Sequence, residues 1–343
     1  MSTSFIYDPH FLDHETGTHP ETPSRLEAIH GALEADRSLW FRLQHVKPAP
    51  ASDEDITRCH SAELIDQIRE ASERGAGTLD ADTIISRQSF DVARLAAGAA
   101  TIAVDRVVEG ETKTAFVAAR PPGHHAKPNK AMGFCLFNNA AIGARYAQAK
   151  HGLERILIID WDVHPGNGTQ EIFYSDPDVF YLSTHQYPYY PGTGAANETG
   201  EGPGANTVVN VPLGVRTSAR DHRAAFSDAL ADIETRFHPR PDYYFRRLRL
   251  QARRSPGRFV AGGRGFCGND ERSDGPGRTT RRRTRRRLTG RRLQPRQPGP
   301  NGPGPHPDPV QLIRGRRRNY QKALYVYTLV AFRLRPRISG WLR

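Results

Sequence analysis

The sequence has little of what marks a secreted or membrane-bound protein. Its 343 residues include only three cysteines, Cys59, Cys135 and Cys267, which are far apart and form no CxxC pair. This spacing argues against a disulfide framework or a cysteine zinc site and fits a reducing cytoplasm. No apolar run follows a basic start, and no stretch approaches the roughly 20 apolar residues of a membrane span. We therefore expect a cytoplasmic location and no membrane partner.

Acidic side chains are scarce in one part of the chain. Residues 241–343 hold 27 of the 49 Lys and Arg but only five of the 37 Asp and Glu, whereas residues 1–240 hold 22 basic and 32 acidic side chains. The isoelectric point near 9.9, which would normally indicate a nucleic-acid partner, thus describes only the tail. By composition, residues 243–343 are an Arg/Pro/Gly-rich tail that we expect to be disordered.

Residues 1–242 alternate between strand-like and helix-like patterns and are expected to form one α/β domain. Strands are predicted over 4–8, 114–119, 155–160, 179–184 and 206–213, and helices over 22–36, 61–73, 89–110, 138–152 and about 217–237. This alternation predicts a mostly parallel sheet with helices on both faces. Ligands of such sheets bind outside the carboxyl ends of the strands, where the polar clusters of this sequence fall.

The first polar cluster lies in "RILIIDWDVHPGNGTQEIF", residues 155–173. An apolar, β-branched run typical of a strand buried on both faces ends in Asp160, Asp162 and His164, on alternate residues. Period-two spacing would place the three side chains on one side of an extended chain. Two carboxylates so close repel each other, and a metal ion is the simplest group that would offset the repulsion. Taken alone, the cluster is as typical of a solvated strand end.

The second polar cluster is "AARPPGHHAKP", directly after the strand predicted over 114–119. His124 and His125 are adjacent, and in an extended segment their side chains would point to opposite sides. We therefore expect two different proton-transfer roles, each imidazole oriented by its own partner, rather than two ligands of one metal. An isolated pair of this kind is more typical of exposed loop histidines.

Together, five motifs resemble the histone deacetylase family. They are "THPETPSRLEAI" (18–29), "RPPGHHA" (120–126), "GFCLFNNAAIGA" (133–144), "IIDWDVHPGNGTQEIF" (158–173) and "STHQYPYYPGTG" (183–194). The likeness covers about residues 5–242 and is closest to the bacterial branch, which includes acetylpolyamine amidohydrolases and acetoin-utilisation proteins. It implies an arginase/deacetylase-type three-layer α/β fold with a central, mostly parallel sheet.

The resemblance also implies a set of site residues. Asp162 and His164 would be ligands of one zinc ion; His124 would hydrogen-bond Asp160, and His125 would face Asn167. The other implied positions are Gly133, Phe134 and Tyr190 in a channel for the acylated amine, and Asp160, Asp162, His164, Ser183 and Thr184 around a monovalent cation, K⁺. The implied function is a zinc-dependent deacetylase acting on acetyl-lysine or on acetylated polyamines and other small amines.

The family pattern breaks after "RPDYY" (240–244). We expect a "SAGFDAH"-type strand end with the third zinc ligand, and a late "LEGGY" tyrosine that stabilises the oxyanion, and the sequence contains neither. The fold is therefore predicted to be truncated at its C-terminal strands. The rival function, from another class, is a basic nucleic-acid-binding protein with a degenerate deacetylase-like domain, although we expect no specific nucleic-acid partner.

A shifted reading frame would explain the break. Codons that write Arg246 to Gln251 can be chosen so that reading one base later gives "AGFDCK", with the metal aspartate over Arg249. The same shift permits "EDFAAMT" from residues 264–270 and "SLEGGYNLDNL" from residues 288–298, with the tyrosine over Leu293. From this we predict that the chain as written binds zinc poorly, lacks deacetylase activity and is disordered after about residue 245.

Overall fold

A computed structural model describes residues 2–236 and 324–328 of the chain. The strands are β1 (Thr3–Ile6), β2 (Leu43–Val46), β3 (Ala76–Thr78), β4 (Ile84–Ser86), β5 (Thr114–Val117), β6 (Ile156–Asp160), β7 (Val179–Gln186), β8 (Val208–Leu213) and β9 (Leu324–Thr328). The helices are α1 (Pro23–Ala35), α2 (Arg37–Trp40), α3 (Asp53–Thr57), α4 (Ala62–Arg74), α5 (Ser89–Val108), α6 (Asn139–His151), α7 (Asn167–Phe173) and α8 (Ala219–Arg236). Every strand and helix predicted before residue 237 is present.

The described strands form two parallel sheets and one antiparallel hairpin. The sheets have the orders β2-β1-β5 and β8-β7-β6-β9, and β3 pairs with β4 in the hairpin. The predicted parallel α/β class is confirmed. Within the described residues, however, the sheet is divided, because β5 pairs only with β1 and the far neighbour of β6 is β9.

Both faces of the second sheet are covered, as its apolar strands require. In β6, Ile156 and Ile158 belong to the large core cluster that α3 to α6 line, whereas Leu157 and Ile159 pack in a second cluster that includes Ile233 of α8. Successive strand residues point to opposite faces, so this division places one layer of helices on each side of the sheet. A third cluster packs β1 and β5 against α1 and α5.

The alanine-rich helix α5 joins the two halves of the core. Its residues Val92, Ala96 and Ala99 lie in the cluster around β1, and Ala93 and Ala97 lie in the cluster around β6. Small side chains allow other elements to approach the helix closely on both faces. The two sheets therefore share one layer of helices.

The predicted tail lies almost entirely outside the described residues. Arg249 and Leu293, over whose codons the third zinc ligand and the oxyanion tyrosine are predicted, lie outside the described residues. The predicted domain boundary near residue 242 does so as well. The exception is β9, which pairs in parallel with β6 so that Leu324 lies opposite Ile156 and Thr328 opposite Asp160. These five residues form a strand, and the disorder expected for the tail stays a prediction. In the described part of the chain, no helix is long and apolar enough to cross a bilayer.

Candidate functional site

The two predicted polar clusters meet at the carboxyl ends of parallel strands. The turn that carries His124 and His125 follows β5, Asp160 is the last residue of β6, and Ser183 and Thr184 lie in β7. The β6–β7 register places Asp160 opposite Ser183. Asn167 is the first residue of α7 and reaches the same place from the loop after β6. The edge predicted to bind a ligand is thus where the chemistry-bearing residues collect.

Each of the paired histidines has its own hydrogen-bond partner. The Nδ1 atom of His124 lies 2.9 Å from Oδ2 of Asp160, and Nδ1 of His125 lies 2.7 Å from Oδ1 of Asn167. Both histidines are 3% exposed, which excludes a pair of solvated loop residues. With Nδ1 engaged in each ring, Nε2 is the nitrogen left for proton transfer.

The expectation that the two rings point to opposite sides is wrong. Their centroids are 4.0 Å apart and the ring planes are tilted by 45°. The reason is that residues 123–126 form a turn, closed by the Ala126 N–H donating to the carbonyl of Gly123, and are not extended. The two partners nevertheless come from different elements, as two separate roles require.

The environments of the two imidazoles drive their pKa values apart. Burial disfavours a charged His124, but the charge and hydrogen bond of Asp160 outweigh burial and raise its pKa above the ordinary value. For His125, burial and the neighbouring His124 hold the pKa well below the ordinary value, which the bond to Asn167 offsets only in part. A pair tuned in opposite directions is typical of an acid and a base at one site.

The segment from Asp160 to His164 is bent rather than extended. The strand ends at Asp160, and two successive turns follow, in which Oδ1 of Asp160 accepts the Asp162 N–H at 3.1 Å and Oδ1 of Asp162 accepts the His164 N–H at 2.8 Å. Aspartate favours such turns because its short side chain reaches the backbone two residues ahead. Beyond Asp160 the backbone is therefore bent and not an extended strand.

Asp162 and His164 have the features of a metal-ligand pair. Asp162 is 3% exposed, and its Oδ2 is buried without a hydrogen-bond partner among the described residues. Its Oδ1 lies 3.1 Å from Nδ1 of His164, so two donor atoms that zinc accepts stand side by side. An unpartnered buried carboxylate oxygen is costly unless a cation binds it, and these two residues therefore fit a zinc ion.

Asp160 is fully engaged and is not the free carboxylate. Besides His124, its Oδ2 accepts the hydroxyl of Tyr181 at 3.2 Å. Burial and the Asp160 charge raise the Tyr181 pKa well above the ordinary value, so this phenol stays protonated and donates. The Tyr181 oxygen in turn accepts the N–H of Gly166 at 2.9 Å. Tyr181 and Gly166 were not predicted; a tyrosine inside an apolar strand gives no signal that it serves a site at the strand end.

Of the three predicted channel residues, Gly133 and Tyr190 lie beside His125, and Phe134 packs against His19. Gly133 has a φ of 58°, and a Cβ atom there would lie 2.5 Å from Cδ2 of His125, so only glycine allows this approach. The Tyr190 ring lies edge-on to His125 and His164, with centroid distances of 5.2 and 5.7 Å, and is 42% exposed. Phe134 has a positive φ of 71° and packs edge-on against His19 at 4.5 Å.

The residues predicted to surround a monovalent cation are also brought together. Ser183 and Thr184 are buried beside Asp160; the Ser183 hydroxyl lies 2.8 Å from Nδ1 of His185, and the Thr184 hydroxyl lies 3.1 Å from Nε2 of His222. His185 and His222 are further residues that sequence reasoning missed.

One other group of potential metal ligands occurs in the described part of the chain. Asp105 of α5, Glu109 directly after that helix and His151 of α6 place ligand atoms within 4.8 Å of one another. The Asp105 carboxylate is already engaged, with His151 at 2.6 Å and the Lys150 ammonium at 3.2 Å. A cation would have to displace that ammonium, so we assign no metal to this group.

Comparison with known proteins gives three consistent matches. Residues 19–243 match the family model of the histone deacetylase domain. The chain is 48% identical over 227 residues to an uncharacterized protein of Synechocystis sp., covering 65% of this chain and 73% of that protein. It is 40% identical over 233 residues to the histone deacetylase-like amidohydrolase of Pseudomonas aeruginosa, covering 62% of this chain and 60% of the relative.

A solved structure has the same fold. The crystal structure of the HDA15 HD domain superposes with a TM-score of 0.60 and 40% sequence identity, covering 62% of this chain and 61% of that one. As in the Pseudomonas alignment, the matched part is about three fifths of the other protein's length. The four motifs that contribute residues to the site, 120–126, 133–144, 158–173 and 183–194, all fall inside the matched range, residues 19–243.

Proposed function

Because the chain belongs to the histone deacetylase family, we propose that it is a zinc-dependent amidohydrolase that removes acetyl groups from amines. One observation carries this proposal: the unpartnered, buried Oδ2 of Asp162 lies beside His164, next to two histidines with oppositely shifted pKa values. A ligand pair next to an acid and a base is what metal-assisted amide hydrolysis needs.

Asp162 and His164 would hold the zinc ion. Bound zinc would polarise the acetamide carbonyl and lower the pKa of a water molecule. A structural zinc site normally closes with four protein ligands, whereas a catalytic one keeps an open position. Two ligands in the described residues leave room for one more protein ligand and for substrate.

His125 is the proposed general base. Its low pKa keeps the imidazole neutral near pH 7, and its Nδ1–H donates to Asn167, which leaves the Nε2 lone pair free to accept a proton from the attacking water. For His124, the Asp160 carboxylate outweighs burial and raises the pKa, which favours the protonated imidazole, whose Nε2–H would stabilise negative charge or protonate the leaving amine. A carboxylate partner for one histidine and an amide partner for the other produce this division.

The substrate is proposed to be an acetylated lysine or an acetylated polyamine or other small amine. Gly133 permits the backbone to approach His125, and the aromatic rings of Phe134 and Tyr190 suit an aliphatic stem. We further propose K⁺ near Asp160, Asp162, His164, Ser183 and Thr184, where it would offset the carboxylate charges. The buried free thiols of Cys59 and Cys135 are consistent with a cytoplasmic location.

We also propose that the chain as written is impaired, because residues from about 243 onward are translated out of frame. Arginine, proline and glycine dominate that part, as expected of a GC-rich gene read in the wrong frame. A single-base shift near codons 240–243 permits an aspartate codon for the third ligand that overlaps the codon of Arg249. It also permits a codon for the oxyanion tyrosine that overlaps the codon of Leu293. Resequencing the gene tests this directly. If the nucleotide sequence contains no such shift, the proposal is overturned.

The enzymatic proposal is tested by acetate release from acetyl-lysine peptides and acetylpolyamines, with and without a zinc chelator, using protein from the frame-corrected gene. We expect turnover that chelation abolishes and zinc restores. His125→Ala should keep the zinc but lose most of the turnover, by a factor of about 10² to 10⁴. Full activity after chelation would contradict the proposal.

The charge of the tail favours a second candidate, a basic nucleic-acid-binding protein. Residues 241–343 carry 27 basic and five acidic side chains. Binding through such a tail would weaken steeply with salt, at about one logarithmic unit per released counterion per tenfold change in salt. Titration of RNA at 50 to 200 mM salt, with residues 1–242 as the comparison, separates this function from zinc-dependent hydrolysis.

A further inference from the structure

The motif "GFCLFNNAAIGA" leaves two adjacent asparagines without a role in the chemistry above. Asn138 is completely buried and is the N-cap of α6, where its Oδ1 accepts the Ala141 N–H at 3.1 Å. Capping uses only the side-chain oxygen. The Nδ2 of Asn138 points elsewhere, as does the whole side chain of Asn139.

The two Nδ2 groups bind opposite ends of the turn that carries the paired histidines. Asn139 Nδ2 donates to the carbonyl of Pro121 at 3.1 Å, three residues before His124. Asn138 Nδ2 donates to the carbonyl of Ala126 at 3.3 Å, directly after His125.

The turn lies against these asparagines without space between them. A Cβ atom on Gly123 would be 2.6 Å from the Asn139 nitrogen and 2.8 Å from the Phe137 carbonyl oxygen, so the glycine permits direct backbone contact. The middle of the turn is held from the other side, where the N–H groups of Gly168 and Thr169 donate to the His124 carbonyl at 3.0 and 3.1 Å.

Asn138 also joins the element that carries the partner of His125. Its Nδ2 lies 3.0 Å from the Thr169 hydroxyl, and Thr169 lies on α7, which begins at Asn167. The backbone N–H of Asn138 donates to Nε2 of the buried His60, whose Nδ1 lies 2.9 Å from the carbonyl of Lys127. One residue thus contacts the histidine turn, the start of α6 and the start of α7.

We propose that Asn138 and Asn139, the asparagine clamp, are positioning residues that fix the turn of residues 121–126 and so place His124 against Asp160 and His125 against Asn167. The catalytic meaning of this clamp rests on the proposed function, but its geometry does not. The two roles of Asn138 are separable, because aspartate caps a helix as well as asparagine does but offers no donor.

The test uses Asn138→Asp and Asn139→Asp, with Asn129→Asp as the matched control. Asn129 is exposed in the loop after the same turn, so its variant adds the same charge without removing a clamp contact. Two quantities are measured on the whole chain: the low-field imidazole N–H resonances of His124 and His125, and the hydrogen-exchange rate of the Ala126 amide. Neither measurement requires turnover.

Each clamp variant should shift or abolish both imidazole resonances and raise Ala126 exchange at least about tenfold, whereas Asn129→Asp should match the parent. Exchange in α6 should stay within about twofold of the parent in Asn138→Asp, because its cap is kept. Unchanged resonances and Ala126 exchange in both clamp variants would overturn the proposal. If Asn138→Asp fails to fold, the half-buried Asn139→Asp decides by the same two readouts.

Kinetics on frame-corrected protein then distinguish this inference from the proposed function. If the family chemistry is present, the clamp variants should lower kcat by about tenfold or more with little change in KM, since misplaced histidines impair the reaction more than binding. If the imidazole resonances respond as expected but no variant or parent hydrolyses acetylated amines, the clamp stands and the proposed function fails.

Discussion

At the scale of single residues, the site depends on a few positions where nothing larger fits. Gly166 is one of them: a Cβ atom there would lie 2.4 Å from Oδ2 of Asp160 and 2.7 Å from the Tyr181 hydroxyl. The first of these atoms is the hydrogen-bond partner of His124, and the second donates a hydrogen bond to the first. The glycine in "HPGNG" therefore leaves room for a hydrogen-bond network as well as for a turn.

Gly166→Ala should accordingly destabilise the protein by about 1–3 kcal/mol, because the methyl group must push the Asp160 carboxylate or the Tyr181 ring aside. Urea unfolding followed by circular dichroism measures this. Gly31→Ala, in α1 with nothing within 4 Å of the added atom, is the control and should be neutral or stabilising by up to about 1 kcal/mol. Equal unfolding midpoints for the two variants would contradict this assignment.

At the scale of elements, a buried ion pair connects the loop before α1 to the segment after β5. Both guanidinium nitrogens Nε and Nη2 of Arg120 lie 2.6 Å from the two carboxylate oxygens of Glu21, and the remaining donors bind the carbonyls of Phe11 and His14. The two charged residues are 3% and 1% exposed. Arg120 directly precedes the turn of residues 121–126, so this pair fixes where that turn begins.

Arg120→Leu should cost about 3–5 kcal/mol of unfolding free energy, because it removes the bidentate partner of the buried Glu21 carboxylate and leaves it only the more distant Arg25, whose Nη1 lies 3.8 Å from Oε1. The double variant Glu21→Leu with Arg120→Leu should be less destabilised than Arg120→Leu alone, since it leaves no isolated charge. Chemical denaturation of the two single variants and the double variant gives the coupling energy. Strictly additive losses would show that the pair does not act as a unit.

His60 gives the protein an acid-sensitive contact between elements. It lies between α3 and α4, donates from Nδ1 to Lys127 and accepts the Asn138 N–H at Nε2, which only a neutral imidazole can do. Burial lowers the pKa of His60 to about 4. The unfolded chain, with an ordinary histidine pKa near 6.5, therefore binds the proton at a higher pH than the folded one.

The free energy of unfolding should thus fall as the pH drops from about 6.5 to 4, by about 3 kcal/mol from His60, and level off below. Burial lowers the pKa of His14 to about 4 as well, so its contribution has the same sign. Urea titrations across this range should give a smaller pH slope for His60→Gln than for the parent. An identical slope in both proteins would exclude His60 as a source.

The sequence predicts some of these features well and others hardly at all. Apolar runs such as Ile156–Ile159 and the helix over 89–110 are long and periodic, so β6 and α5 were predictable. The family resemblance proposed Asp162 and His164 as zinc ligands, and that assignment stays a prediction. The short α2, α3 and α7 and the hairpin β3–β4 were missed because a few residues give no periodicity. Tyr181 and His60 were missed since their partners lie far away in the sequence.

At the scale of the whole molecule, the sheet that contains β6 and the proposed metal site both involve the C-terminal part of the chain. Asp162 and His164 follow β6, and the neighbouring position of β6 is taken by β9, residues Leu324–Thr328 of the Arg-rich part. A third ligand would have to come from an element beside β6 to reach the same ion. If the proposed shift of reading frame is correct, restoring the frame would change the residues that lie beside β6 and would supply the proposed third zinc ligand.

The chain as written should bind zinc much more weakly than the frame-corrected chain, because its matched motifs supply only two of the three proposed ligands. Competition with a chromophoric chelator measures both dissociation constants. A third protein ligand should strengthen zinc binding by at least about tenfold. Even residues that only hydrogen-bond to a metal ligand contribute at least this much to metal affinity. Equal affinities would mean that Arg249 does not overlap a ligand codon.

The most direct test of the central claim is acetate release by the frame-corrected chain and by its Asp162→Ala variant, measured with the bound zinc content of each. The account predicts zinc-dependent release from acetylated amines by the former, and neither stoichiometric zinc nor release by the latter. Release by Asp162→Ala at the parent rate would contradict it.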